Sequence, residues 1–414
     1  MNNWQQTTLG EVLKIDELTI DKCYPFDEIE YIDIASVKER RILETQKLRL
    51  DDAPSRARRI VRNNDILIST VRPNLKHYCF IKKAVPNLIA STGFAAITAK
   101  KSDPAFIYYL LTTDEYTDYL TKIADSHTSA YPSFNPEVIE NSKFILPPLP
   151  EQKAIAAILS SFDDKVELLR RQNKTLESIA QTIFKKWFVN FNFPDKKGKP
   201  YKDNGGKVKP SELGKIPEDW KVGTLGDVIK VIGGGTPKTD IAEYWNGDIP
   251  WFSVVDVPND GNVFVIRCEK HISQKGLEKS STRLLPLNTT IITARGTVGK
   301  LALTGVEMAM NQSCYGLYPK KGESCYYLYL LVKDSLTALK QQVHGAVFDT
   351  ITKATLDNIT CILPADETVS LFENAINPSF QKALENNKQI QTLSKLRDTL
   401  LPKLMKGEIR VKAS

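Results

Sequence analysis

The side chains that bring chemistry to this sequence are cations and aromatics at the ends of apolar runs. Ile66-Leu67-Ile68-Ser69-Thr70-Val71 leads into Arg72, Lys76 and His77, and Thr290-Ile291-Ile292-Thr293-Ala294 leads into Arg295 and Lys300. An arginine thus leaves a strand-like run into a loop twice, with a lysine four or five residues on. A guanidinium fork matches the acceptor edge of guanine and any cation neutralises a phosphate, so the chemistry is that of a nucleic-acid surface. The densest arginine cluster is Arg56, Arg58, Arg59 and Arg62, with Arg40-Arg41 upstream. A solvated helical face and a phosphate-facing surface both fit it. Two further loops, His127 to Tyr131 and His344 to Phe348, set small residues and an aromatic ahead of an apolar run. Tyr131 and Phe348 there either cap a core or face a nucleic acid.

Other chemistries find no support. Gly233-Gly234-Gly235-Thr236-Pro237-Lys238-Thr239 has neither the spacing of a phosphate-binding GxxxxGK[ST] loop nor that of GxGxxG. A tight turn fits it, and so does a backbone approach to phosphate with Lys238 beside it. Pro194-Asp195-Lys196-Lys197 resembles the start of a metal-nuclease core, but it lies among Lys, Gly and Pro residues that read as a flexible linker. There is no GxSxG and no HExxH. The six cysteines are scattered without a CxxC pair and the four histidines do not join them, which argues against disulfide scaffolds and zinc sites.

The elements that must position these cations come in duplicate. Trp4-x3-Thr8-Leu9-Gly10-Glu11-Val12 returns as Trp220-x3-Thr224-Leu225-Gly226-Asp227-Val228. Ile145-Leu146-Pro147 returns as Ile362-Leu363-Pro364, Thr175-Leu176 as Thr392-Leu393, and Ile179 as Leu396. Each copy opens with short β-branched and aromatic runs that read as strands, with short helices over Phe106–Leu111 and Tyr326–Leu331. Each closes with a long charged helix. Val166, Asn173, Ala180 and Trp187 alternate with Leu169, Leu176 and Ile183 at a 3.5-residue spacing, and Ile390, Leu393, Leu400 and Leu404 continue an equivalent seam weakened by Arg397. Asn173 is the kind of polar seam residue that fixes register.

The expected architecture is therefore α+β. It has two duplicated globular domains with curved or barrel-like sheets, over 1–149 and 218–365, and two long antiparallel helices, over 150–193 and 366–414, forming a coiled-coil-like spacer. Residues 194–217 form a Lys/Gly/Pro-rich linker. With 414 residues, 42% of them hydrophobic, there is ample material for two cores. The 56 Lys and Arg against 49 Asp and Glu leave only +7, which means little unless it is concentrated on one face. The N-terminus has no secretory pattern and no apolar run approaches membrane-spanning length, so a cytoplasmic protein is expected.

The duplicated frame, together with Leu146-Pro147-Pro148-Leu149-Pro150-Glu151-Gln152-Lys153-Ala154-Ile155 entering the first helix, Ile216-Pro217-Glu218-Asp219-Trp220 opening the second copy, and the run from Gly233 to Trp251, resembles the DNA specificity subunit of Type I restriction-modification systems. The resemblance spans essentially the whole chain. It implies one target recognition domain per half of a bipartite site in double-stranded DNA, with the helices packed together to space the two domains. It also implies no catalytic centre and no cofactor on this chain. S-adenosylmethionine would belong to modification subunits gripping the helices, and ATP and Mg to restriction subunits. Two rivals stand beside it. A self-contained adenine methyltransferase would need a cofactor loop and an Asn/Asp-Pro-Pro-aromatic motif, which are missing; a coiled-coil adaptor would never meet DNA.

Overall fold

The computed structural model describes residues 4–38, 40–126, 131–258, 262–322, 324–342 and 350–411. The chain divides into two compact units, Met1–Lys165 with Leu393–Ser414, and Val166–Thr392.

In the first unit, Ile66–Ser69 is buried along its whole length, as a run apolar on both faces requires. It lies in a four-stranded antiparallel sheet between Phe94–Ala99 and Tyr78–Phe80, with Leu13–Ile15 at the far edge. A second four-stranded sheet has the order Gln46–Arg49, Glu28–Ile32, Leu88–Ser91, Ala57–Ile60, and its central pair is parallel. Helix Pro104–Leu111 starts where sequence rules place it: Pro104 occupies the first turn and the Asp103 carboxylate accepts from Phe106 N at 2.9 Å. Its Phe106 and Ile107 join Leu9, Ile97, Leu120, Ile139, Leu159, Leu401 and Leu404 in the main core. Each such side chain contributes about 1.5–3 kcal/mol by leaving water.

The second unit repeats this plan. Gln5↔Leu146 and Lys221↔Leu363 open equivalent antiparallel pairs that join the start of each copy to its end. Thr290–Thr293 lies between Cys314–Pro319 and Leu301–Thr304 as Ile66–Ser69 lies between its neighbours, and the parallel pair returns as Trp251↔Ala309. Two sheets per copy with short helices beside them agree with the expected α+β fold.

The first long helix runs from Leu149 to Phe184 and ends in a π turn over Lys185–Val189; the second runs from Asp366 to Met405. Both stop short of the expected limits of 193 and 414. Phe191 turns left-handed at φ 60°, and Gly407, at φ 70°, closes the second helix with its N–H on Leu404 O. Within the second unit the helices run antiparallel, since Phe184 meets Phe372 while Asn173 meets Asn386 and Asn387. Val166, Leu169 and Ala180 are buried there, with Leu176, Ile183 and Trp187 packed at the margin and Ile390 buried opposite. Asn173 Nδ2 donates to Asn387 Oδ1 at 3.0 Å and to Asn262 Oδ1 at 3.1 Å, and its Oδ1 accepts from Asn386 Nδ2 at 2.9 Å. A register slip would strand several buried amides at once. In the first unit Leu404 is buried and Leu400 half-buried. There Arg397 is no weak point: it pairs with Asp163 at 2.5 Å, and Asp163 also accepts from the Tyr109 hydroxyl at 2.6 Å.

Residues 194–217 are not a loose connector. Phe193 stacks on Tyr201 and Trp220 at 4.6 and 4.9 Å, Ile216 is buried, and Val208–Ser211 forms a hairpin with Gly214–Pro217. Asp195 accepts from Lys197 N, Lys199 N and Asn204 Nδ2 at 2.8–3.0 Å, with the Lys199 N–H foremost in holding its carboxyl below the usual range. The nuclease-like string is a turn anchor.

Candidate nucleic-acid interface

The cluster read as a helical face is a strand, Ala57–Ile60, and most of its arginines are matched by carboxylates far away in sequence. Arg56 reaches Asp33 at 2.7 Å and the Tyr31 hydroxyl at 3.2 Å. Arg59 pairs with Asp16 at 2.7 Å, and Arg62 with Glu17 at 2.9 Å, where Lys100 joins it. Lys100 first, then Arg62, hold the Glu17 carboxyl below the usual range; burial pushes Asp16 up, against the pull of Ala96 N and Arg59. Arg58 is exposed, with its Nε on Ser55 O at 3.2 Å. The acidic partners Asp16, Glu17 and Asp33 escape sequence reading because nothing local couples them to the strand they serve.

Arg40 is half-buried. Its guanidinium donates to Thr112 Oγ1 and O at 2.9 and 3.2 Å and lies over the rings of Tyr78, Tyr108 and Tyr109 at 5.4–5.6 Å. Its guanidinium is thus held by contacts within its own domain. Arg41 sits half-buried in a two-residue strand opposite Lys38.

The two arginine loops share a backbone scheme that identifies equivalent positions. In the first copy Phe134 N donates to Thr70 O at 3.0 Å and Val71 bridges Ser133; in the second Ile351 N donates to Ala294 O at 2.9 Å and Arg295 bridges Thr350. Arg295 therefore corresponds to Val71, and Arg72 to Gly296, so the expected equivalence of the arginines is off by one residue. The lysines differ as well. Ser69 N bonds to His77 O as Thr293 N bonds to Lys300 O, which aligns Lys300 with His77 and leaves Lys76 opposite Gly299. Lys76 pairs with Asp114 at 2.6 Å, and His77 Nδ1 meets the Val37 carbonyl. Arg72 stacks on Tyr131, its Cζ 5.1 Å from the ring centre, so these two expected residues do meet. Arg295, Lys300 and Lys238 are exposed. Phe348, His344 and His127 lie outside the described residues.

The loop at Gly233–Thr239 is a built feature. A Cβ on Gly234 would stand 1.9 Å from Asn311 O, so only glycine fits. Trp251 Nε1 donates to Gly235 O at 3.0 Å and Trp245 Nε1 to Lys238 O at 3.1 Å, the indoles meeting edge-on at 5.2 Å. Thr236 bonds Gln312. Among the described residues no group of His, Cys, Asp or Glu is placed to hold a metal, and no helix is long and apolar enough to cross a membrane.

Two copies of one α+β frame, alike in pairing and unlike in the charges their loops present, define a duplicated recognition protein. The chain belongs to the family of the Type I restriction modification DNA specificity domain, whose model matches residues 1–178 and again 217–398. It is 27% identical to the Type I restriction enzyme HindI specificity subunit of Haemophilus influenzae, over 99% of this chain and all of that one. To the MjaIX specificity subunit of Methanocaldococcus jannaschii it is 30% identical, over 78% of this chain and 73% of the relative. The crystal structure of the Type I restriction-modification S subunit from M. genitalium shares the fold, with TM-score 0.55 at 16% identity, covering 97% of this chain and 96% of that one. The chain is thus a DNA specificity subunit, the non-catalytic recognition component of a Type I system.

Proposed function

We propose that this subunit reads a bipartite, non-palindromic site in double-stranded DNA, one recognition domain per half-site, and that its paired helices dock the modification subunits. The observation that carries this reading is the duplication itself: a common set of central strand pairings recurs while the charges and loops on it differ. Two identical readers would call for a palindrome; two unlike readers call for unlike half-sites. S-adenosylmethionine, ATP and Mg are assigned to the modification and restriction subunits and none to this chain, and the whole acts in the cytoplasm. Arg295, Lys300 and Lys238 are the proposed DNA contacts of the second domain, and Arg58 and Arg72 with Tyr131 those of the first.

Mapping methylated adenines in cells that carry the chain with its modification subunits tests the proposal. Two different half-sites separated by an unread spacer are expected; a palindromic motif overturns it. Binding of the assembled complex should also fall steeply and linearly in log–log form with salt, whereas a flat response would favour the adaptor.

A further inference from the structure

Arg72 leaves its strand in a conformation that costs it energy. Its backbone is left-handed, φ 48° and ψ 63°, a region that disfavours any side chain by about 1–2 kcal/mol. The second copy has glycine at the equivalent place, Gly296 at φ 77°, where the conformation carries no such penalty. The turn is fixed on both sides: Arg72 N donates to Pro132 O at 2.8 Å, Leu75 N donates to Arg72 O at 3.0 Å, and Phe134 N donates to Thr70 O at 3.0 Å. The frame therefore asks for glycine and this chain supplies arginine. That arginine is exposed, and its guanidinium lies 5.1 Å over the ring of Tyr131, itself 67% exposed.

We propose that Arg72, held by Tyr131, is a specificity-determining residue of the first recognition domain and reads a guanine from the major groove. The inference rests on the DNA-reading function proposed above. Stacking occupies a face of the guanidinium plane, whereas a guanine is read by its edge, two donors meeting O6 and N7. The stack also lowers the rotamer freedom that a long side chain loses on binding. The neighbouring cation Lys76, left-handed too at φ 55°, is engaged by Asp114 and is the weaker candidate.

Arg72→Gly separates recognition from folding, because glycine suits this backbone. In the complex with its modification subunits, Arg72→Gly should keep or raise the unfolding temperature. It should relax the methylated motif at one guanine-bearing position of one half-site, with discrimination there falling about tenfold to a hundredfold. Tyr131→Ala should give a smaller relaxation at the same position, and Arg72→Lys should not restore it. An unchanged motif overturns the proposal, as does a lower unfolding temperature with recognition intact. A loss of affinity equal for all sequences, with a shallower salt slope, would mark a phosphate contact and overturn it too. The half-site of the second domain, unaltered throughout, is the internal control. If the native complex methylates no defined motif, the function itself fails, and this inference with it.

Discussion

The edge strand Leu13–Ile15 of the first copy and its counterpart Ile229–Gly233 of the second each run into a corner, and the two corners are closed in opposite ways. After Leu13–Ile15 the chain places Asp16 and Glu17, which pair with Arg59 and Arg62 on the neighbouring edge. After Ile229–Gly233 it places Gly234 and Gly235, which let the backbone press against Asn311 and Thr282 while two tryptophans grip the carbonyls. One corner is closed by charge and the other by close backbone approach. Recognition domains can thus share their central strand pairings and still present different surfaces, because that pairing is set by main-chain bonds and buried apolar residues that the corner leaves untouched. An arginine-rich strand in such a frame is not by itself a phosphate-binding strand; its carboxylates must be counted first.

The contrast can be broken at several points. The largest effect is expected for Gly234→Ala, which forces backbone against backbone and should cost about 3 kcal/mol or more, unfolding the second unit first in a thermal or denaturant melt. An unchanged midpoint would mean that the corner is not packed as described. Asp16→Ala leaves the half-buried Arg59 without its carboxylate, and Arg59 Nε already lacks a partner, so a loss of about 1–3 kcal/mol is expected in the first unit. Arg295→Ala should weaken recognition of one half-site by about 1–3 kcal/mol if it meets a base, with stability unaltered; equal binding of all variant sites would count against that role. Arg58→Ala should lower the salt slope of binding by about 1, and the carboxylate-paired Arg62→Ala by less, which titrations at several ionic strengths would resolve. The smallest effect is a dependence on acid. Glu17 has its carboxyl lowered by Lys100 and Arg62, so its contribution is fully present above its unfolded value and disappears as pH falls through the lowered folded one. Glu17→Gln should therefore make the first unit slightly less pH-sensitive below about pH 5, and two parallel pH–stability curves would refute this.

Much of the frame is legible because it is written locally or twice. Ile66–Ser69 and Thr290–Thr293 announce buried strands by composition, Asp103-Pro104 announces a helix start, and the returning Trp-x3-Thr-Leu-Gly motif marks the second copy. The helix seam is legible by its spacing, and Asn173 by its polarity, but its partners Asn386 and Asn387 sit at positions that the apolar seam of the second helix does not flag. The site is less legible, since charge compensation operates across the fold. Arg40 resembles its neighbour Arg41 in sequence, yet three tyrosines from two distant elements enclose it. Nor can sequence spacing show that Arg72 aligns with a glycine and Arg295 with a valine, because the two loops differ in length by one residue between the same strands.

The bond from residue 134 to residue 70, and its counterpart from 351 to 294, join the arginine loop of each copy to the segment that closes it through main-chain atoms alone. The bonds themselves use no side chain, although the backbone at residues 72 and 296 is left-handed and favours glycine. Two loops moved together would be expected to carry this joint with them, whereas one loop moved alone would have to re-form it.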